Sequence, residues 1–242
     1  MKVIVPYFMI KSFLIITSLH ILLFGSGQIV LVVADEFNST KAKLEFFEDT
    51  NILFKCDVNL GKNGLGWGVG EHTFNQKVDE PVKKEGDKKA PAGIFKLTDV
   101  FGYVSQKQSS LPYLYVDKNL ICVDEPNSNF YNTIIMKKEG IKSFENMKRD
   151  DSLYKLGVVV GYNETRVKGR GSCIFLHVQK AEDTPTLGCT SMKYEDLQRI
   201  VSMLKKERDP LLIQIPKSAS EEILQKFPQL KNSSLLHPHH RP

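Results

Sequence analysis

Two side chains in the last third of the chain carry the chemistry that residue type and spacing announce most directly. His177 ends the apolar run Ile174-Phe175-Leu176, and Cys189 follows Gly188 after a polar loop. Beyond the cysteine, Leu197, Ile200, Val201 and Leu204 fall at i, i+3, i+4 and i+7, which predicts a helix over 192–206. Cys189 is therefore expected at the head of that helix, where the dipole and free N–H groups stabilise a thiolate. A neighbouring imidazole takes the thiol proton and later returns it to a leaving amine. Backbone at Gly188 and Thr190 supplies oxyanion support, and Gly188 lets a carbonyl approach where a Cβ would obstruct it. Together these describe acyl transfer through a thioester. The same residues also fit a plain structural reading, with Cys189 half of a disulfide and His177 a satisfied strand-end histidine.

The elements around this pair read as mainly β. Gln28–Ala34 is a continuous apolar run suited to a buried strand, and 43–47 and 53–58 are β-rich. Strand character returns at 94–97, 156–162, 174–178 and 211–215. Glycines at 61, 64, 66, 68 and 70 punctuate a turn-rich stretch without forming a dinucleotide or phosphate fingerprint. The charged segment 77–93, with Lys83, Lys84, Lys88 and Lys89, reads as a solvated surface loop. Ser143 is placed to cap a short helix over 143–148, and Thr190 or Ser191 to cap the longer one. Lys205, Lys206 and Arg208 suit the longer helix's negative end. Ser218-Ala219-Ser220-Glu221 reads as a capping box opening a helix that runs to Phe227. Residues 232–242, ending in His237-Pro238-His239-His240-Arg241-Pro242, read as a flexible tail.

Composition narrows the function classes. A chain of 242 residues that is 41% hydrophobic and 25% charged is globular rather than disordered. Lys2 and Lys11, an apolar run to Phe24 and the small residues Gly25-Ser26-Gly27 make residues 1–27 a secretory signal segment. Its removal lowers the formal charge from +5 to +3, too mild for nucleic acid. Uncleaved, the segment would instead anchor the chain in the membrane. Either outcome puts the remainder outside the cytoplasm, periplasmic or extracellular, where disulfides form. Four cysteines and scattered histidines offer no zinc spacing.

The motif goes further than the dyad. His177, a loop, then Thr186-Leu187-Gly188-Cys189 resembles the catalytic motif of L,D-transpeptidases, the YkuD-type family that acts on bacterial peptidoglycan. Other stretches resemble one branch of it. They are 63–68, 85–87 with 91–95, 101–103, Cys122-Val123-Asp124-Glu125-Pro126-Asn127-Ser128 with Tyr131-Asn132, and Gly171-Ser172-Cys173. The resemblance covers about 28–216. Many members have a second His before the Gly and an Arg or Asn after the Cys. This chain has Leu187 and Thr190, so donor and acceptor specificity do not carry over.

The resemblance implies a β-sandwich-like catalytic domain over 28–231, with the nucleophile Cys189 at the start of a helix and His177 as base and acid. A backbone carbonyl often orients the imidazole in this family. Ser172 and Thr186 are candidate supporting hydroxyls, and Trp67 and Tyr103 are candidates for lining the cleft. Cys122 and Cys173 are expected to pair, leaving Cys189 reduced. The implied substrates are peptidoglycan stem peptides containing meso-diaminopimelate, with carbapenem-class compounds as inhibitors and no cofactor or metal. The implied products are cross-links between stems. Hydrolysis by the same dyad, as a carboxypeptidase or endopeptidase, is the second reading, and a non-catalytic wall-binding module the third. The protein is expected to be a monomer with no membrane contact beyond the signal segment.

Overall fold

The computed structural model describes residues 27–105 and 109–237. Residues 1–26 of the expected signal segment 1–27, residues 106–108 and residues 238–242 of the expected tail lie outside the described residues. The strands in chain order are β1 (Gln28–Ala34), β2 (Lys41–Glu48), β3 (Asn51–Asn59), β4 (Leu65–Trp67), β5 (Ala90–Gly102), β6 (Tyr113–Tyr115) and β7 (Leu120–Cys122). They continue with β8 (Ile134–Met136), β9 (Glu145–Asn146), β10 (Leu156–Gly161), β11 (Phe175–Val178), β12 (Thr190–Met192) and β13 (Leu211–Pro216). The α-helices are α1 (Tyr194–Met203) and α2 (Ser220–Lys226).

The protein is mainly β with few helices. Its main sheet runs β10-β11-β12-β3-β2-β1-β13-β5, and β5 pairs back onto β10. The strands thus close into a barrel, not the two stacked sheets of a sandwich, and closure removes the exposed edges that an open sheet would carry. β1, apolar from Ile29 to Ala34, is buried along its whole length because β2 flanks one side and β13 the other, the latter in parallel. β5 is the long member, lying between β13 and β10 and carrying β4 and β6 as parallel additions. A separate three-stranded sheet, β8-β7-β9, stands beside the barrel.

Two apolar clusters result. The main core joins residues of β1, β2, β5, β10 and β13 with Leu197, Ile200 and Val201 of α1 and Ile223 of α2. The second is small and lies between the barrel and the three-stranded sheet. It contains Phe101, Val116, Cys122, Met147, Tyr154, Cys173, Phe175 and Cys189.

Several local expectations need correction. The helix expected over 192–206 begins at Tyr194, and strand β12 stands between it and Cys189. The cysteine therefore precedes a strand and has no helix dipole behind it. Parallel pairing of Thr190–Met192 with β11 outcompetes helix formation at Thr190 and Ser191. Lys193 is the N-cap and makes no side-chain capping bond. At the other end, Gln28 donates from Nε2 to Met203 O at 2.7 Å and accepts from Lys205 N at 2.8 Å. Lys205 pairs with Glu48, and Arg208 with Asp49, rather than with the helix end. Residues 143–148 form no helix: Glu145–Asn146 pairs with β7 as a short strand, with bends on either side. The turn at 217–219 is a 3-10 helix, and α2 starts at Ser220 without a side-chain cap.

The charged segment 77–93 is not wholly a surface loop. Ala90 already begins β5, and Lys83 is buried. Nor is the chain loose from 232. Ser233 is buried and its hydroxyl donates to Glu45 at 2.6 Å, and Leu236 joins the main core. Burial pushes the Glu45 carboxyl up, but Lys55, Ser233 and Ser234 together hold it below the usual carboxylate range.

Candidate active site

The alternation of β11 decides which way the histidine points. Leu176 and Val178 belong to the main core, while Phe175 joins the second cluster. Successive strand side chains face opposite sides, so His177 shares the outward face of Phe175. On the neighbouring strand the parallel register sets Leu176 beside Thr190 and His177 beside Ser191. One residue before Thr190, Cys189 comes alongside Phe175, whose N–H donates to its sulfur at 3.4 Å. His177 and Cys189 therefore lie on one face of two adjacent strands. On the other flank, Gly157 stands opposite His177, and the ring of Phe101 fills the space a Cβ would take there.

Both groups line a single cavity of about 500 Å³. Its walls include Lys83, Glu85, Asp124, Glu145, Arg149, Asp151, Tyr154 and the loop 184–189. The imidazole's Nδ1 is 2.8 Å from the backbone carbonyl of Val178. With Nδ1–H donating there, Nε2 is left as the acceptor. The ring edge meets Tyr154 with centroids 5.3 Å apart. The thiol donates to Cys173 O at 3.5 Å.

Burial sets the resting protonation of the pair. It pushes the Cys189 thiol up to about 12, with Glu145 adding to the rise and the Phe175 N–H, Lys83 and Arg149 opposing it. The thiolate expected from a helix head is thus corrected to a protonated thiol. Burial also lowers His177 to about 4, against the pull of the Val178 carbonyl. The resting dyad is thiol and neutral imidazole across the neutral range, so proton transfer must accompany attack.

This has a measurable consequence for folding. His177 titrates at about 4 in the folded chain against an ordinary value of 6.5. Between those values the unfolded chain binds the extra proton, so stability rises with pH there. A contribution of about 3 kcal/mol is complete above pH 6.5 and is lost as pH falls through 4. Urea unfolding at pH 7 and pH 5 should show wild type losing more stability than His177→Gln over that interval.

The turn before the cysteine is held by Thr186. Its hydroxyl donates to Cys189 O at 2.6 Å and accepts from Gly188 N at 3.1 Å. The Gly188 N–H is accordingly engaged and is not available as an oxyanion donor. Thr190 is buried facing the core, with its hydroxyl on Gln214 Oε1 at 2.7 Å, so its side chain does not reach the cavity. Gly188 has φ +145°, and a Cβ there would lie 3.3 Å from Lys89 O. Gly188→Ala should cost about 1–3 kcal/mol and displace the sulfur, read as a lowered thermal midpoint with slower turnover.

Lys83 places a buried ammonium 3.8 Å from that same point on Gly188 and holds it on Asp87 at 2.6 Å and Lys84 O at 2.9 Å. Ser172 lines the cavity but bonds to Glu85, not to the imidazole, at 2.8 Å. Tyr131 also donates to Glu85, at 2.5 Å, and accepts from Gly171 N. Asn132 accepts from Cys173 N at 2.9 Å, steadying that residue in the left-handed region at φ +56°. Cys122 and Cys173 form a disulfide, and Cys56 and Cys189 are free thiols. The bridge ties the three-stranded sheet to the barrel directly beside the sulfur.

Trp67 and Tyr103 are not cavity residues. The former stacks on Phe74 and donates to Glu80, and the latter hydrogen-bonds to Arg149 N. Sequence reading missed Glu145, Arg149, Asp151 and Tyr154, which arrive from β9 and the loop after it. Single charged residues on short extended segments carry no periodic signal. Among the described residues no cluster of His, Cys, Asp and Glu is arranged to hold a metal ion, and no helix is long and apolar enough to cross a membrane. Comparison with family models, curated proteins and solved structures found no match to this chain.

Proposed function

We propose that this protein is a cysteine acyltransferase of the L,D-transpeptidase type, acting outside the cytoplasm on peptidoglycan stem peptides. The observation that carries the reading is the shared cavity. A free thiol and an imidazole with its Nδ1 tied to a carbonyl face it from adjacent strands. The motif His177, Thr186, Gly188, Cys189 supports the family, and the disulfide supports an oxidising compartment.

Nε2 of His177 takes the thiol proton as the sulfur attacks the carbonyl that follows the L-centre of the third stem residue. The amide of Cys189 and the nearby Lys83 ammonium stabilise the developing oxyanion. The imidazolium then protonates the departing D-amino acid as the C–N bond breaks. The thioester that remains is taken by the side-chain amine of a second stem, giving a cross-link. The same intermediate taken by water gives hydrolysis, a reading favoured by the charged, water-accessible walls of the cavity.

Incubation with purified disaccharide-tetrapeptide, followed by mass spectrometry, tests the reading. Cross-linked dimers mark transfer. Tripeptide with free D-alanine marks hydrolysis. Neither product would overturn the assignment.

A further inference from the structure

Glu145 works against the nucleophile it sits beside. Of the charged groups around Cys189 it has the largest influence, and its carboxylate opposes the thiolate that catalysis requires. Its side chain is half-buried on the cavity wall. Burial pushes it up, and Asp124 adds to the rise, while Tyr154 and Arg149 pull it back. Its position is specified with care. The residue pairs in register with Cys122, whose disulfide partner Cys173 accepts the Cys189 thiol hydrogen bond. Oε2 accepts from the Tyr154 hydroxyl at 2.8 Å, and the same tyrosine ring abuts His177. Next to it on the cavity wall, Oδ1 of Asp124 is buried with no hydrogen-bond partner. An orphaned carboxylate oxygen beside a half-buried carboxyl on the same wall leaves an acceptor arrangement that a cationic donor would complete.

We propose that Glu145, with Asp124 beside it, is the acceptor subsite: it receives the primary ammonium of the incoming amine and takes its proton before attack on the thioester. The inference rests on the acyltransfer reading and adds the residue that favours an amine over water. The step balances. The ammonium passes one proton to the Glu145 carboxylate, and the free amine adds to the thioester carbonyl to form the C–N bond. The added nitrogen loses its second proton to His177, the C–S bond breaks, and the imidazolium reprotonates the sulfur. Glu145 releases its proton to water as the product leaves. A bound ammonium also offsets the negative charge beside the sulfur, so an empty subsite keeps the thiol quiet.

Glu145→Gln separates this role from a structural one, because its two effects have opposite signs. Removing the charge should speed iodoacetamide alkylation of Cys189 several-fold. With disaccharide-tetrapeptide as donor and acceptor, the ratio of dimer to hydrolysed tripeptide should fall at least tenfold. A merely structural residue would slow transfer and hydrolysis alike, and an unchanged ratio overturns the proposal while leaving the thioester chemistry intact. Wild type that only hydrolyses overturns it in the same way. Wild type that forms no product overturns the acyltransfer reading and this inference together. If Glu145→Gln does not fold, Asp124→Asn carries the test, with a smaller fall in the ratio expected and an unchanged ratio overturning it.

Discussion

Replacing Cys189 with alanine is expected to reduce both transfer and hydrolysis by at least about 10⁴-fold, because no other free thiol lines the cavity to form the thioester. Cys56 cannot substitute. It lines a different cavity, on the β2–β3 side, and burial pushes its thiol up to about 12. The fold should survive, since the change removes one sulfur at a site whose backbone is fixed by Thr186 and by β12 pairing. A cost of about 1 kcal/mol is expected from the lost contacts. His177→Gln should be nearly as inactive. Gln lacks the basic nitrogen that Nε2 provides, and the resting thiol then stays protonated. Mass spectrometry of products, paired with a thermal melt, checks both. Substantial turnover by Cys189→Ala would remove the thioester from consideration.

The second large effect concerns the disulfide. Its cysteines are separated by 51 positions, and the loop they close costs the unfolded chain about 4 kcal/mol of entropy. Replacing Cys122 and Cys173 together by serine should therefore lower stability by about that amount in urea unfolding. Activity should fall further than stability alone accounts for, because β7–β9 carries Glu145 and is anchored to the barrel at this bridge. The double replacement is the informative one. A single replacement leaves an odd thiol next to Cys189, which an added oxidant could join to it in a new disulfide. Unaltered turnover in a folded double variant would show that the wall holds its place without the bond.

The strands were legible where the pattern was strong. The apolar run of β1, the glycine-valine run of β10 and the apolar run entering β11 all reflect burial that acts locally. The barrel was not legible, because closure depends on β5 meeting β10 and on β1 meeting β13, pairings between distant segments that no local pattern encodes. The helix head at Cys189 was misread for a related reason. A tertiary partner, β11, captured Thr190–Met192 as a strand, and helix periodicity alone could not exclude that. Lys83 was read as solvated because lysines usually are. Only the fold brings Asp87 and Lys84 O around its ammonium. Within the site, the dyad came from residue type and spacing and Thr186 from the motif, whereas Glu145 and Tyr154 come together only through the fold.

The side-by-side placement of β1 and β13 has a consequence for biogenesis. Ile29 lies against Leu211, about 180 positions later, so the ring cannot shut until the chain has been made through β13. Such distant pairings belong to slow folders, on the order of milliseconds to seconds. Until Leu211 is available to pair with Ile29, the barrel whose strands position His177 and Cys189 stays open.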